Sequence, residues 1–269
     1  MQNIILFIPC YNCQNQISRV LAHLKENDNY KYFSEILIID NRSTDNTVGK
    51  SLEVVELLNL TNVKVYTNSH NVGLGGTHKM AFTYAQNINA THVAVLHGDD
   101  QGNINDLIKI IRSNKHNEHD CCLGSRFSTD SQLKGYSKFR IFGNYIFNII
   151  YSLCSLKLVK DLGAGVNIYK VDAVKDKCIR EFSNDLTFNC FLLLYSISRK
   201  QDILYFPIEW SEDDQISNVK LISQAKRTLR IALIYLVKGI PGLISEGNNK
   251  YDFDKIELQI QFKKGSSND

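Results

Sequence analysis

The chain opens on short apolar runs that alternate with longer amphipathic ones. Residues 4–8, 36–39, 63–66, 93–96 and 121–124 are brief, apolar and rich in β-branched side chains, the pattern of strands buried on both faces. Between them the apolar period changes from continuous to helical. Ile17, Val20, Leu21 and Leu24 are spaced i, i+3, i+4, i+7, and Leu52, Val55 and Leu58 repeat the theme, as do Ile104, Leu107, Ile108 and Ile111. Strands separated by such helices predict βαβ units and an α/β fold with a mostly parallel central sheet flanked by helices.

The second half is less regular. A polar loop, 128–134, leads into an aromatic-rich helix predicted over 138–156. A strand at 166–169, a helix near 188–197 and a strand at 203–208 follow. Beyond Lys220 the pattern becomes basic and amphipathic, with Lys226, Arg227, Arg230 and Lys238 set among Leu229, Ile231, Leu233, Ile234, Leu236 and Val237. Residues 224–244 suit a membrane surface, the flank of the domain or a second subunit equally well. No low-complexity linker or internal repeat divides the chain. The expected organisation is one catalytic domain over 1–222, followed by an amphipathic helix and flexible tail over 223–269.

Composition narrows the classes. The 269 residues are 43% hydrophobic and 22% charged, ordinary for a globular protein. A net charge of +3 and a pI near 8.4 fall short of the concentrated basic face that nucleic acid requires, so no nucleic-acid partner is expected. The opening run lacks a basic leader and cleavage site, and seven scattered cysteines fit a reducing cytoplasm, so a cytoplasmic location is expected, with the inner face of the membrane left open. Cys10-Tyr11-Asn12-Cys13 has thioredoxin-like spacing but no second pair to complete a zinc site; a redox pair remains an alternative. The uncharged stretch 141–156 is shorter than the ~20 residues a bilayer crossing needs.

The strand at 93–96 then stops abruptly at His97-Gly98-Asp99-Asp100-Gln101. Strand ends of open α/β sheets are where ligands bind, and hard carboxylate and amide oxygens suit Mg²⁺ or Mn²⁺ better than zinc. The first strand ends in Pro9-Cys10-Tyr11-Asn12 and the second in Asp40-Asn41-Arg42-Ser43-Thr44-Asp45. In a parallel sheet these endings share one edge. Pro9 shapes the turn, Tyr11 offers a flat face to a base, and Asn12 or Asp40 can hydrogen-bond base edges. Asp45 reads as a cap for the next helix. Asn71-Val72-Gly73-Leu74-Gly75-Gly76 allows close backbone approach at a helix start. It follows the third strand, whereas a dinucleotide fingerprint follows the first, which argues against NAD.

Taken in order, Pro-x-Tyr-Asn, Asp-x-x-Ser-Thr-Asp, Asn-x-Gly and the acidic strand end resemble the nucleotide-sugar-binding half of family 2 glycosyltransferases with the GT-A fold. Gly124-Ser125-Arg126-Phe127, the run from Asp161 to Lys170 and Phe206-Pro207-Ile208 resemble the dolichol- and polyprenyl-phosphate sugar synthase branch. The likeness covers about residues 3 to 222. It implies that Pro9, Tyr11, Asn12, Asp40, Asn71, Gly73 and Gly98 form the nucleotide-sugar pocket. It also places Asp99 and Gln101 on a divalent metal, with His97 or Asp100 assisting. Arg126 would lie near the phosphates or the donor sugar, and Asp161 and Gly165 on the acceptor side. The implied donor is a UDP- or GDP-linked sugar and the acceptor is lipid-linked or a saccharide; a homo-oligomer is left open.

Three departures modify this picture. His97 stands where the first metal-motif Asp is expected. Asn167 stands where the synthase branch carries Arg. The acidic turn Glu212-Asp213-Asp214 stands where a basic residue is usual. A phosphate acceptor is already a nucleophile, but a sugar hydroxyl needs a carboxylate to take its proton. Asp213 is the first choice, with Glu212, Asp214 and, more weakly, Asp185 behind it. Loss of the first metal-motif acid keeps a non-catalytic nucleotide-sugar-binding protein as an alternative.

Overall fold

The structure, a computed structural model, describes residues 3–212, 221–247 and 258–263. The strands are β1 (Ile4–Cys10), β2 (Glu35–Asp40), β3 (Val63–Asn68), β4 (His92–Leu96), β5 (Cys121–Ser125), β6 (Gln132–Lys134), β7 (Val166–Lys170), β8 (Ile203–Pro207), β9 (Glu209–Ser211) and β10 (Leu258–Lys263). The helices are α1 (Ile17–Lys25), α2 (Thr47–Leu57), α3 (Gly73–Asn87), α4 (Ile104–Arg112), α5 (Lys115–Glu118), α6 (Lys138–Ser155), α7 (Val171–Val174), α8 (Phe188–Ser198) and α9 (Leu221–Gly247).

Eight strands form one sheet in the order β10-β3-β2-β1-β4-β7-β5-β8, and β6 pairs with β9 in a separate parallel ribbon. β3, β2, β1 and β4 run parallel, β7 is reversed between β4 and β5, and β8 runs parallel to β5. The expected mostly parallel sheet flanked by helices is what the chain builds. The sequence pattern offered no strand at 258–263, which adds to the β3 edge antiparallel, nor the ribbon, whose members are three residues each.

Period-two alternation along the strands divides the core. Ile5 and Phe7 of β1, Leu37 and Ile39 of β2, and Val93 and Val95 of β4 face one layer with α3, α8 and α9. Ile4, Leu6, Ile8, Ile36, Ile38, Ala94 and Leu96 face the other, with α1, α2 and α4. Both layers exclude water from the sheet, so truncating Leu6 to Ala would cost about 2–5 kcal/mol. The functional consequence is a rigid sheet whose β1, β2 and β4 all end at one rim.

Candidate active site

Hydrogen bonds knit that rim together. Gly98 N donates to Pro9 O at 3.0 Å and Asn41 N to Cys10 O at 2.8 Å, joining the ends of β4 and β2 to β1. Asn12, with φ 51°, donates its N–H to Ser43 Oγ at 2.9 Å, and its Oδ1 accepts from Thr44 N at 2.8 Å. Asn12 therefore ties two loops, and its side-chain oxygen is not left over for a base edge. Tyr11 beside it stays half-exposed, leaving an open ring face at the rim. Asp40 is buried, and burial pushes its carboxyl above the usual range against the hydrogen bonds from Ser43. Asp45 accepts from Thr47 N and Gln14 N, one residue ahead of the Asn46 that caps α2, so it ties the start of that helix to the loop after β1.

The third loop joins through a chain of amides that runs from the buried Asn68 and Asn41 out to Asn71. Asn41 Nδ2 donates to Asn71 Oδ1 at 2.9 Å, which also accepts from Gly73 N at 2.9 Å. Asn41 Oδ1 accepts from Val72 N and from the buried Asn68. Gly73 has φ +78°, and a Cβ there would stand 2.2 Å from Asn184 O, so both backbone and space demand glycine. Gly98 is required for closeness too, since an added Cβ would meet Cys10 Sγ at 2.5 Å. Cys10 and Cys13 are buried under it, and the Cys13 hydrogen bond, then burial, pushes the Cys10 thiol up. That makes Cys10 packing for the rim and a poor redox nucleophile.

The acidic loop is less generous to a metal than its sequence implies. Gln101 N donates to Asp99 Oδ1 at 3.3 Å, so the two expected ligands share one turn. Asp100, at φ 61°, is paired with Arg19 Nε at 2.5 Å, which commits its carboxylate to α1. His97 packs against Gly165, whose added Cβ would lie 2.7 Å from the ring, and burial pulls the imidazole down to about 4. Its buried Nε2 has no hydrogen-bond partner among the described residues. No group of three His, Cys, Asp or Glu side chains able to hold a metal occurs among the described residues. Asp99 and Gln101 still fit a hard cation that takes most of its ligands from a diphosphate and water. Beneath this loop, between α1 and β9, lies a cavity of about 480 Å³ bordered by Arg19, His23, Asp99, Gln101 and Trp210.

The model for glycosyl transferase family 2 matches residues 5–176. The chain belongs to that family. This glycosyltransferase is 25% identical over 255 residues to the dolichyl-phosphate beta-glucosyltransferase of Saccharomyces cerevisiae, covering 86% of this chain and 74% of the relative. Its fold is similar to that of Mycobacterium tuberculosis glucosyl-3-phosphoglycerate synthase crystallised with Mn²⁺, UDP and glucosyl-3-phosphoglycerate, with TM-score 0.60 and 10% identity over 87% of this chain and 80% of that one. It is similar also to S. aureus TarS residues 1–349 with UDP-GlcNAc, with TM-score 0.56 and 17% identity over 94% and 69%. At such identities the two structures speak for the fold alone.

Arg126, expected near the phosphates or the donor sugar, and Asp161, expected on the acceptor side, are engaged with one another. Arg126 Nε and Nη2 grip the Asp161 carboxylate at 2.9 and 2.8 Å, Arg126 N adds a third bond at 2.9 Å, and Nη1 reaches Tyr136 OH. Burial opposes the Arg126 charge, but the Asp161 carboxylate overrides it and keeps the guanidinium ionised. The pair therefore shapes the wall between β5 and the 161–165 loop. Asn167 holds the same wall: its Oδ1 accepts from Gly124 N at 3.1 Å and its Nδ2 donates to Ala164 O at 2.8 Å. Of the candidate bases, Glu212 is ion-paired with Arg140 of α6 and Asp185 with Arg227 of α9. Asp185 also accepts from Thr187 N at 2.8 Å, and its Cα lies 3.6 Å from the Cβ position of Gly73. Asp213 and Asp214 lie outside the described residues.

Sequence reasoning missed Asn41, Asn68, Arg19 and Lys79. Lys79 of α3 is buried, and its ammonium donates to Arg180 O at 2.9 Å, Phe182 O at 2.5 Å and Asn184 Oδ1 at 2.5 Å. Burial pulls it down to about 7, with Glu181 and Asp185 acting against the shift. Asn184 O in turn accepts from Gly76 N at 3.2 Å, so Lys79 fixes the segment that presents Asp185. No period in the sequence marks Lys79, because residues 75–82 are buried without interruption, on every side of α3.

Proposed function

We propose that this glycosyltransferase moves a sugar from a UDP- or GDP-linked donor to a lipid-linked or saccharide acceptor, with inversion at the anomeric carbon. The reading places it in surface-glycan assembly on the cytoplasmic side of a membrane. The observation that carries it is the hydrogen-bonded convergence of the loops after β1, β2, β3 and β4 at one rim, with Tyr11, Asp40, Gly73 and Asp99 on the four of them. The Mn²⁺ and UDP bound by the mycobacterial synthase, and the UDP-GlcNAc bound by TarS, support a nucleotide-sugar donor. The yeast relative's name supports a lipid phosphate acceptor.

In this mechanism Tyr11 stacks on the base, while Asp40 and the Asn41–Asn71 amide chain shape the nucleoside pocket. Asp99 and Gln101 would hold a divalent ion, Mn²⁺ or Mg²⁺, which would supply Lewis-acid stabilisation of the departing diphosphate. Gly98 and Gly73 let the loops that form the pocket pack closely on Cys10 and Asn184. The Arg126–Asp161 pair shapes the wall against which the acceptor is aligned for in-line attack. A phosphate acceptor attacks as an anion; a hydroxyl acceptor gives its proton to Asp213 of the acidic turn. Incubating the protein with a panel of labelled donors and membrane lipid extract tests the reading. A lipid-extractable, mild-acid-labile product identifies a polyprenyl-phosphate acceptor, and an acid-stable glycan product identifies a hydroxyl. Turnover of no donor in the panel would refute it.

A further inference from the structure

The most anomalous surface in the molecule lies away from the rim. Helix α6 leaves Phe139, Phe142, Ile146, Ile149 and Leu153 exposed, at 75%, 65%, 41%, 60% and 68%. Their spacing of three, four, three and four residues makes one continuous stripe along the helix. The opposite side of α6 carries its two buried residues, Asn148 and Tyr151, and Tyr151 donates its hydroxyl proton to Thr228 O of α9 at 2.9 Å. Helix α9 repeats the arrangement: Ile231 and Ala232 are buried, while Leu233, Leu236 and Val237 stand in solvent. Soluble monomers rarely expose contiguous apolar surface of this extent without a use for it.

Charge indicates what covers the surface. Residues 131–160 contain five basic side chains and no acidic one, and α9 contains four basic and one acidic, Glu246, which pairs with Arg230. Both segments therefore combine an apolar face with positive charge, which matches a bilayer surface carrying anionic headgroups. Ile222–Gly247 is long and apolar enough to cross a membrane by length and composition. However, Ile231, Ala232 and Leu243 are sealed into the domain core, and Gly239, at φ +59°, with Pro241 breaks the helix. Lying along the surface satisfies both facts; spanning does not.

We propose that α6 and α9 together dock the protein on the surface of an anionic bilayer, with the apolar stripe of α6 entering the headgroup boundary. The two helices also reach the candidate site. Arg140 of α6 pairs with Glu212, Tyr145 of α6 packs on Phe127 at 5.0 Å between ring centroids, and Arg227 of α9 pairs with Asp185. Docking thus brings the acceptor wall to the lipid surface, where a lipid-carried acceptor is delivered. That last step rests on the proposed acceptor, but the docking does not.

Flotation of the full chain with vesicles tests docking without any donor or acceptor, so its failure is distinct from failure of the transferase reading. The probes are phosphatidylcholine vesicles, with and without phosphatidylglycerol. The expected result is flotation with the anionic vesicles, weakened by salt. The double variant F142D/I149D should lose about tenfold or more in partitioning per side chain, and K157E/K160E about fivefold per residue on anionic vesicles. All four positions are on the surface, and unchanged thermal unfolding of the variants confirms an intact fold. Absence of flotation, or equal flotation of F142D/I149D and the parent, overturns the proposal. So does a dimer that F142D/I149D dissociates while vesicle binding is unaltered, because the stripe would then belong to a second copy.

Discussion

Arg19 Nε and Asp100 Oδ2 meet at 2.5 Å, joining the acidic loop to the helix that follows the first strand. Asp100 takes φ +61° to do so, a conformation that costs an L side chain about 1–2 kcal/mol and glycine almost nothing. Its carboxylate serves the loop's shape. Asp100→Gly should keep donor turnover within about fivefold, since a partly exposed pair contributes ~1 kcal/mol or less. Asp99→Ala should lower it by about 100-fold or more without unfolding the domain. Initial rates of donor hydrolysis distinguish the two, and equal losses would return Asp100 to the metal.

Gly73→Ala carries two separate penalties, a positive φ and a backbone carbonyl 2.2 Å from the new methyl. The expected loss is about 2–4 kcal/mol of stability, together with weaker nucleotide binding, because Asn71 and Asn184 are displaced in concert. Gly143 is the control, with nothing within 4 Å of an added Cβ. Urea titration of both variants reads the difference.

Lys79 makes stability depend on pH in a predictable direction. Its folded pKa of about 7 lies below the ordinary lysine value near 10.4, so between those limits the unfolded chain binds the extra proton. The folded state is therefore stabilised as pH rises from 7 towards 10. Measured against Lys79→Met, the parent should gain stability across that window and stay level below pH 6. A flat difference would mean the ammonium remains charged in its cage of carbonyls.

Glu212 is bound to Arg140, and the proposed base for a hydroxyl acceptor is Asp213. With such an acceptor Asp213→Asn should reduce kcat by about 10²–10⁴ while the donor KM holds. Glu212→Gln should act mainly on stability. If Asp185→Asn alone abolishes transfer, the base sits at the start of α8 instead.

The sheet was legible because burial on both faces writes long apolar runs, and the helices because their periods are clear in α1 and α4. The β6–β9 ribbon was not, since three-residue strands give no period. Residues of the rim were visible as strand endings, but their roles were less so. Asn12, Asp100, Arg126 and Asp161 all look like ligand-facing polar groups in sequence, yet each is engaged by a partner distant in the chain: Thr44, Arg19 and, for the last two, each other. A sequence names a side chain's chemistry, whereas its partner is set by which strands lie side by side. Lys79 shows the reverse case, a charged residue to which the sequence assigned no role and which the fold places at the centre of a loop anchor.

The central claim is that one nucleotide sugar is gripped at this rim jointly by Tyr11, Asp40 and the Asp99 loop. Calorimetric titration of UDP and GDP, each with and without Mn²⁺, addresses it directly in the parent chain, Tyr11→Ala and Asp99→Ala. The account predicts that metal tightens nucleotide binding in the parent, that Asp99→Ala abolishes this synergy, and that Tyr11→Ala weakens binding with or without metal. Nucleotide affinity indifferent to Mn²⁺ and to both substitutions would contradict it.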